Sequence, residues 1–153
     1  DQDPHMRLTR DIAEKHKLIL PSSTYNKFMR SLSGSAKMSK SEPQNMMTLN
    51  DEPKEAAKKL MRAFTGGRNS VEEQKKLGGE PAKCVVYDFL LYLLEEDDAK
   101  LKKRFDDCRS GRIICGDCKK DVAEKLTKFL EEHQRKKKKC MAVAAKTLEK
   151  GAF

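Results

Sequence analysis

The stretch that decides the fold is Pro81-Ala82-Lys83-Cys84-Val85-Val86-Tyr87-Asp88-Phe89-Leu90-Leu91-Tyr92-Leu93-Leu94-Glu95-Glu96. Proline stands at its entrance, where a missing N–H costs a helix nothing. On a 3.6-residue repeat Val85, Val86, Tyr87, Phe89, Leu90, Leu91, Leu93 and Leu94 cover nearly the whole circumference. A helix apolar all round belongs at the centre of a bundle. The greasy part, Cys84 to Leu94, is interrupted by Asp88 and is too short to span a bilayer.

Helical patterns flank this segment on both sides. Downstream, Asp97 or Asp98 begins a helix that ends near Gly111. A long last helix then runs from about Asp117 towards Glu149, with Val122, Leu126, Phe129, Leu130 and His133 on one face. Upstream, Ser70-Val71-Glu72-Glu73 forms a capping box for a short helix that stops at Gly78-Gly79. Before it, Lys54 to Phe64 places Ala57, Leu60, Met61 and Phe64 at helical spacing. Asp51 is its expected cap, Pro53 lies in its first turn, and Gly66-Gly67 marks its end. Everything after residue 50 therefore reads as helix. Ahead of it come an amphipathic helix from Met6 to His16, a short extended piece at Leu18 to Pro21, and a stretch from Ser31 to Ser41 without apolar periodicity that reads as a mobile loop. The class is mainly α.

Thirty-three Lys and Arg against twenty-four Asp and Glu leave a net charge of +9. Such a surface attracts polyanions, nucleic acid above all, although interspersed charges also solvate helices. Arg135-Lys136-Lys137-Lys138-Lys139 sets five positive charges around more than one helical turn. That suits contact with an RNA backbone; a solvated helix face is the alternative. Five cysteines without a secretory segment predict a reducing, cytoplasmic setting. The opening Asp1-Gln2-Asp3-Pro4 lacks an initiator methionine and reads as part of a longer chain.

Function is most legible in Lys37-Met38-Ser39-Lys40-Ser41, the KMSKS sequence in full. When a carboxylate attacks the α-phosphate of ATP, negative charge builds on the departing pyrophosphate. Two ammonium groups on a flexible loop stabilise that charge only as it forms, which is what raises a rate. Lysine suits the task as a compact point charge on a long stem. Ser33, Gly34 and Ser35 supply the expected hinge. The plainer alternative is a basic surface loop.

Four stretches extend the pattern: Asp1 to Pro4 with Arg7 to Asp11, Ala36 to Pro43, Ala63 to Arg68, and Glu72 to Gln74 with Leu77 to Gly79. Together they resemble the class I aminoacyl-tRNA synthetases, and within them the archaeal and eukaryotic branch of the tryptophanyl-tRNA synthetases. The resemblance implies the tail end of a Rossmann-like catalytic domain over residues 1–50 and a helical, anticodon-binding domain over residues 51–153. It implies a tryptophan–tRNA ligase that uses ATP with Mg2+, takes tryptophan and tRNA(Trp) as substrates, and works as a homodimer in full length. Lys37 and Lys40 are then catalytic; Asp1, Lys37, Met38, Ser39, Lys40 and Ser41 engage ATP, with Asp1 near its ribose. Gln2 hydrogen-bonds the tryptophan substrate, and Arg10 and Asp11 are structural. The family's HIGH motif does not occur in these residues, so this stretch alone is expected to be inactive. Tyrosyl-tRNA synthetase is the nearest rival, which Ala63 to Arg68 and Leu77 to Gly79 fit poorly. From another class, a stand-alone helical RNA-binding module or a metal-stabilised interaction module are the alternatives.

Cys84, Cys108, Cys115 and Cys118 are spaced C-x23-C-x6-C-x2-C. A C-x2-C pair at a helix start lets two thiolates face one ion, and four thiolates suit zinc or an iron–sulfur cluster. Some similar synthetases carry a comparable set that is thought to hold an iron–sulfur cluster. The alternative makes Cys84 a small core residue and leaves the rest as free thiols. Cys140 stands apart, and His5, His16 and His133 have no partner spacing for catalysis or zinc.

Overall fold

A computed structural model describes residues 2–35 and 37–149. Six helices follow in order: α1 Asp3–Lys15, α2 Pro53–Arg62, α3 Val71–Leu77, α4 Val85–Phe89, α5 Asp98–Arg109 and α6 Cys115–Glu149. Short 3-10 turns occupy Pro43–Asn45 and Pro81–Lys83, and α4 widens into a π turn over Leu90–Leu94. There is no strand among the described residues, so the chain is mainly α as the apolar repeats predict.

The bundle is built on α6. Val122, Leu126 and Leu130 recur at every fourth residue, and all three are buried. Ala56, Leu60 and Ala63 present the matching stripe from α2 and its C-cap. The two alanines let the backbones of α2 and α6 approach closely, and Lys119 Nζ closes the end by donating to Met61 O at 2.9 Å. Val85, Val86, Phe89 and Leu90 fill the remaining side of the core.

Several local expectations are corrected here. The buried stripe of α2 includes Ala56 and Ala63, while Met61 and Phe64 are 38% and 48% exposed. Its N-cap is Glu52, whose carboxylate accepts from Glu55 N at 2.9 Å. Asp51 turns elsewhere, to Thr48 Oγ1 at 2.6 Å and Lys59 Nζ at 2.7 Å. The segment from Pro81 is not one continuous helix, because Cys84 is extended (φ −90°, ψ 118°) and Val85 N donates to Phe64 O at 3.3 Å. Nor is that helix buried all round: Leu91, Tyr92 and Leu93 are each more than 40% exposed. The long helix opens at Cys115, two residues ahead of its expected start. Other expectations hold. The serine half of the capping box forms, Ser70 Oγ accepting from Glu73 N at 3.1 Å, and Asp97 caps α5 through Ala99 N and Lys100 N.

α1 lies outside the bundle. Arg10 fastens it to the irregular strap that follows, donating to Pro21 O at 3.1 Å and Ser23 Oγ at 3.3 Å. Leu18, Ile19 and Leu20 on that strap are exposed, Ile19 almost completely.

Candidate functional site: a fastened lysine loop and a four-thiol pocket

The predicted hinge is a knot. Ser31 N donates to Ser35 O at 3.0 Å and Gly34 N to Ser31 O at 2.9 Å, while Ser31 Oγ lies 2.8 Å from Ser33 Oγ and 2.6 Å from Ser35 Oγ. Ser31 and Leu32 are buried and pack the start of the loop, while Ser33 and Ser35 of the expected hinge are exposed. Gly34 has φ +91°, and a Cβ there would stand 2.9 Å from the Phe64 ring. Leu32 ties both ends together: its N–H donates to Asn45 O at 2.9 Å and its carbonyl accepts from Phe64 N at 2.8 Å.

Two cations that sequence reading did not single out brace this base. Arg30 makes a bidentate pair with Asp88 on α4, at 2.6 and 2.8 Å, and a third bond to Ala82 O. The Asp88 carboxylate raises the Arg30 guanidinium pKa against the opposing effect of burial. Lys59 on α2 reaches Asp51 and the carbonyls of Met46 and Pro43, clasping the returning limb of the loop. Burial pushes the Asp51 carboxyl up, but the Lys59 and Thr48 hydrogen bonds outweigh it and hold it below the usual carboxylate range. No local motif marks Arg30 or Lys59, because their partners come from elsewhere in the chain.

Beyond the base the tip is open. Lys37, Ser39, Lys40 and Ser41 are exposed, and Met38 is partly buried against the core. Lys37 Nζ sits 5.8 Å from the centre of the Phe28 ring, a cation–π contact. Ser39 Oγ meets Ser41 Oγ at 2.8 Å, and Glu42 N donates to Ser39 O at 3.1 Å. Both lysines thus ride on a short turn above a fixed base. Gln2 is exposed just ahead of α1, its carbonyl accepting from Met6 N. Asp1 lies outside the described residues.

On another face of the bundle, Cys84, Cys108, Cys115 and Cys118 line one apolar cavity of about 20 Å³, with Thr65, Val86 and Ile114 among its other walls. Two glycines let the sulfurs approach. A Cβ on Gly67 would stand 2.5 Å from Cys115 Sγ, and one on Gly79 would stand 2.9 Å from Cys108 Sγ. Burial, reinforced by the neighbouring thiols, pushes Cys108 up to about 11, and burial likewise raises Cys118. The four are gathered, yet no group of three His, Cys, Asp or Glu side chains among the described residues is drawn together as a metal-holding set. Cys140 is exposed on α6, away from this cavity.

Arg135 to Lys139 are exposed along α6. Lys136 pairs with Glu132 at 2.7 Å, Lys137 donates to Asn50 Oδ1 at 2.6 Å, and Gln134 holds Leu49 O and Asp51 O. The basic run therefore begins where α6 touches the end of the loop region. No helix among the described residues is long and apolar enough to cross a membrane.

Comparison with known proteins places this loop and bundle in a class. The family model for class I tRNA synthetases (W and Y) matches residues 1–131, and the chain belongs to this family. Within it the similarity is to the tryptophan members. A tryptophan–tRNA ligase of Hyperthermus butylicus is 54% identical over 140 residues, covering 89% of this chain and 37% of the relative. One from Methanocaldococcus jannaschii is 47% identical over 152 residues, covering 97% and 41%. The crystal structure of tryptophanyl-tRNA synthetase from Aeropyrum pernix K1 superposes with a TM-score of 0.89 at 47% identity, over 95% of this chain and 40% of that one. A tyrosyl-tRNA synthetase from Aeropyrum pernix shares the fold, with a TM-score of 0.70 at 24% identity. The chain spans about two-fifths of the length of the curated relatives it matches.

Proposed function

We propose that this chain supplies the lysine loop and the tRNA-side helices of a tryptophan–tRNA ligase, residues 1–50 belonging to the catalytic domain and residues 51–153 forming the anticodon-side domain. The observation that carries this reading is the Lys37–Ser41 turn, exposed at its tip and fastened at its base, in a chain that matches the family from residue 1 to 131. In the full-length protein the tryptophan carboxylate attacks the α-phosphorus of Mg2+-bound ATP, the bond to the bridging oxygen breaks, and pyrophosphate departs. The Lys37 and Lys40 ammonium groups meet the charge that grows on it. Met38, Ser39 and Ser41 hold the turn against the nucleotide, Asp1 faces its ribose, and Gln2 reaches the substrate. A terminal hydroxyl of tRNA(Trp) then attacks the adenylate's carbonyl carbon and loses its proton, the anhydride bond breaks and AMP leaves as the ester forms, with the tRNA backbone lying along Arg135 to Lys139. Full-length copies act as a pair. The relatives favour tryptophan over tyrosine, since the curated ones are 43–54% identical and the tyrosyl structure is 24% identical.

The test is pyrophosphate exchange with the full-length protein. Lys40→Ala is expected to slow tryptophan-dependent exchange by about 10²–10³-fold, the scale of removing one transition-state charge partner, while tryptophan affinity stays within about twofold. Unchanged exchange, or exchange driven by tyrosine instead, refutes the reading.

For the cysteines we infer a four-thiolate centre held by Cys84, Cys108, Cys115 and Cys118. What supports this reading is the chemistry of the donors: four cysteines line one cavity, and glycines stand where any Cβ would obstruct Cys108 and Cys115. A metal would have to draw the thiols the rest of the way together. Zinc there would cross-link α4, α5 and α6; an iron–sulfur cluster would do the same and add a one-electron couple. Anaerobic metal analysis separates them: a visible absorption band with bound iron and sulfide, against a colourless protein with one zinc. A chain that holds neither under those conditions removes the centre.

A further inference from the structure

Gln74 is the feature that neither the lysine loop nor the thiol spacing accounts for. It sits on α3 and is only 3% exposed. Its carboxamide oxygen accepts from Arg68 N at 3.0 Å, which fixes the orientation of the amide and directs Nε2 the other way. Nε2 then has no hydrogen-bond partner, the one buried side-chain polar atom among the described residues in that condition. Buried polar groups are nearly always satisfied, so an orphaned donor marks an acceptor still to be supplied.

The surroundings identify that acceptor. The point where a Gly79 Cβ would stand lies 2.7 Å from Gln74 Nε2 and 2.9 Å from Cys108 Sγ, so amide and sulfur flank the same bare glycine. On the other side, the Gly67 Cβ position lies 2.5 Å from Cys115 Sγ and 3.5 Å from Gln74 Oε1. The carboxamide thus borders the same two glycines as the Cys108 and Cys115 sulfurs, near the Gly66 carbonyl, without yet bonding to either sulfur. Backbone bonds hold it there, with Gly78 N donating to Gln74 O at 2.9 Å and Gly79 N to Cys108 O at 2.8 Å.

We propose that Gln74 is the second-sphere donor of the thiol pocket, giving an N–H···S hydrogen bond to the Cys108 sulfur once that sulfur is a metal-bound thiolate. The proposal rests on the four-thiolate reading. A protonated thiol is a weak acceptor and gives the amide little to bond. Four thiolates around one divalent ion leave net negative charge, which Arg104 beside Cys118 and Lys119 in the cavity wall offset in part and a donor beside Cys108 offsets further. Outer-sphere partners of this kind orient ligands and strengthen binding. Gln74 is therefore a positioning residue for the centre and touches no substrate.

The test uses the chain with its thiols reduced, titrated anaerobically with Co2+, whose ligand-field spectrum reports tetrahedral thiolate coordination. Two variants are compared with the parent. Gln74→Glu keeps an oxygen for Arg68 N and loses the donor; Gln74→Met loses both and retains the volume. Both are expected to bind Co2+ about 10–100-fold more weakly, with the helical circular dichroism of the metal-free proteins unchanged. Equal affinities across the three proteins overturn the role of Gln74 and leave the four-thiolate centre standing. Failure of the parent chain to give a thiolate spectrum that Cys118→Ser abolishes overturns both.

Discussion

The lysine loop and the thiol pocket are anchored on the same core, and they are closed by different means. At the loop, a few backbone bonds through Leu32 are joined by long side chains: Arg30 reaches across to Asp88, and Lys59 gathers Asp51, Met46 and Pro43. At the pocket, backbone closes on backbone. A Cβ on Gly78 would stand 1.7 Å from Arg109 O, and one on Gly66 would stand 2.0 Å from Glu80 O. Side-chain closure leaves the exposed tip room to swing, since a flexible stem can follow a moving loop. Backbone closure leaves no slack, which suits a site whose ligands must keep their spacing.

The sharpest way to break this contrast is Gly78→Ala. The residue has φ +70°, so alanine there is strained before it meets the Arg109 carbonyl. The two costs together are roughly 3 kcal/mol, lowering Tm by about 10 °C in a domain of this size. A melt within about 2 °C of the parent would show that the pocket backbone yields after all. Next in size is Asp88→Asn at the loop. The Arg30 and Asp88 side chains are 25% and 10% exposed, so halving the pair leaves a largely desolvated guanidinium. The expected loss is about 2 kcal/mol, with faster proteolysis within residues 31–41 and unaltered reactivity of the four thiols. Thiol reactivity that changes in step with the loop would mean the two regions are one unit.

The smallest effect concerns Asp51. Its carboxyl is held below the usual range, so its stabilisation is complete above the unfolded value near 4 and is lost as pH falls through the lower folded value. Chemical denaturation between pH 6 and pH 3 is expected to show a loss of under about 1 kcal/mol from this group. Asp51→Asn removes that part of the slope. An identical acid slope in the variant excludes Asp51 as its source.

What the sequence disclosed follows the range of the interaction involved. Ser70, Asp97 and the Val122–Leu126–Leu130 stripe act within their own helices, so spacing is enough to read them. By local preference Asp51 is the better cap, since aspartate is a favoured N-cap residue and glutamate is not. Lys59, eight residues away on the next helix, draws Asp51 aside and leaves the cap to Glu52. The break at Cys84 was hidden for a similar reason, because the Val85 N–H is taken by Phe64 O from outside the segment. The cysteine spacing singled out four residues that line one cavity. Gly67 and Gly79 read as helix stops and as part of the family resemblance, and their closeness to sulfur emerges only when the helices meet. Gln74 belongs to the stretches that carry the resemblance, but its unsatisfied atom is hidden from sequence because it is defined by its surroundings.

The length of α6 has one more consequence. Its first half is packed against α2 and α4, whereas Met141, Val143 and Leu148 are more than 60% exposed. Starting a helix is the costly step, and extending one is nearly neutral. The packed half therefore serves as a permanent seed, and the outer turns need only elongate from it. Heat should unwind those turns gradually from the far end, well before the cooperative melting of the interior, and the lysine-rich stretch marks where gradual fraying gives way to all-or-none loss.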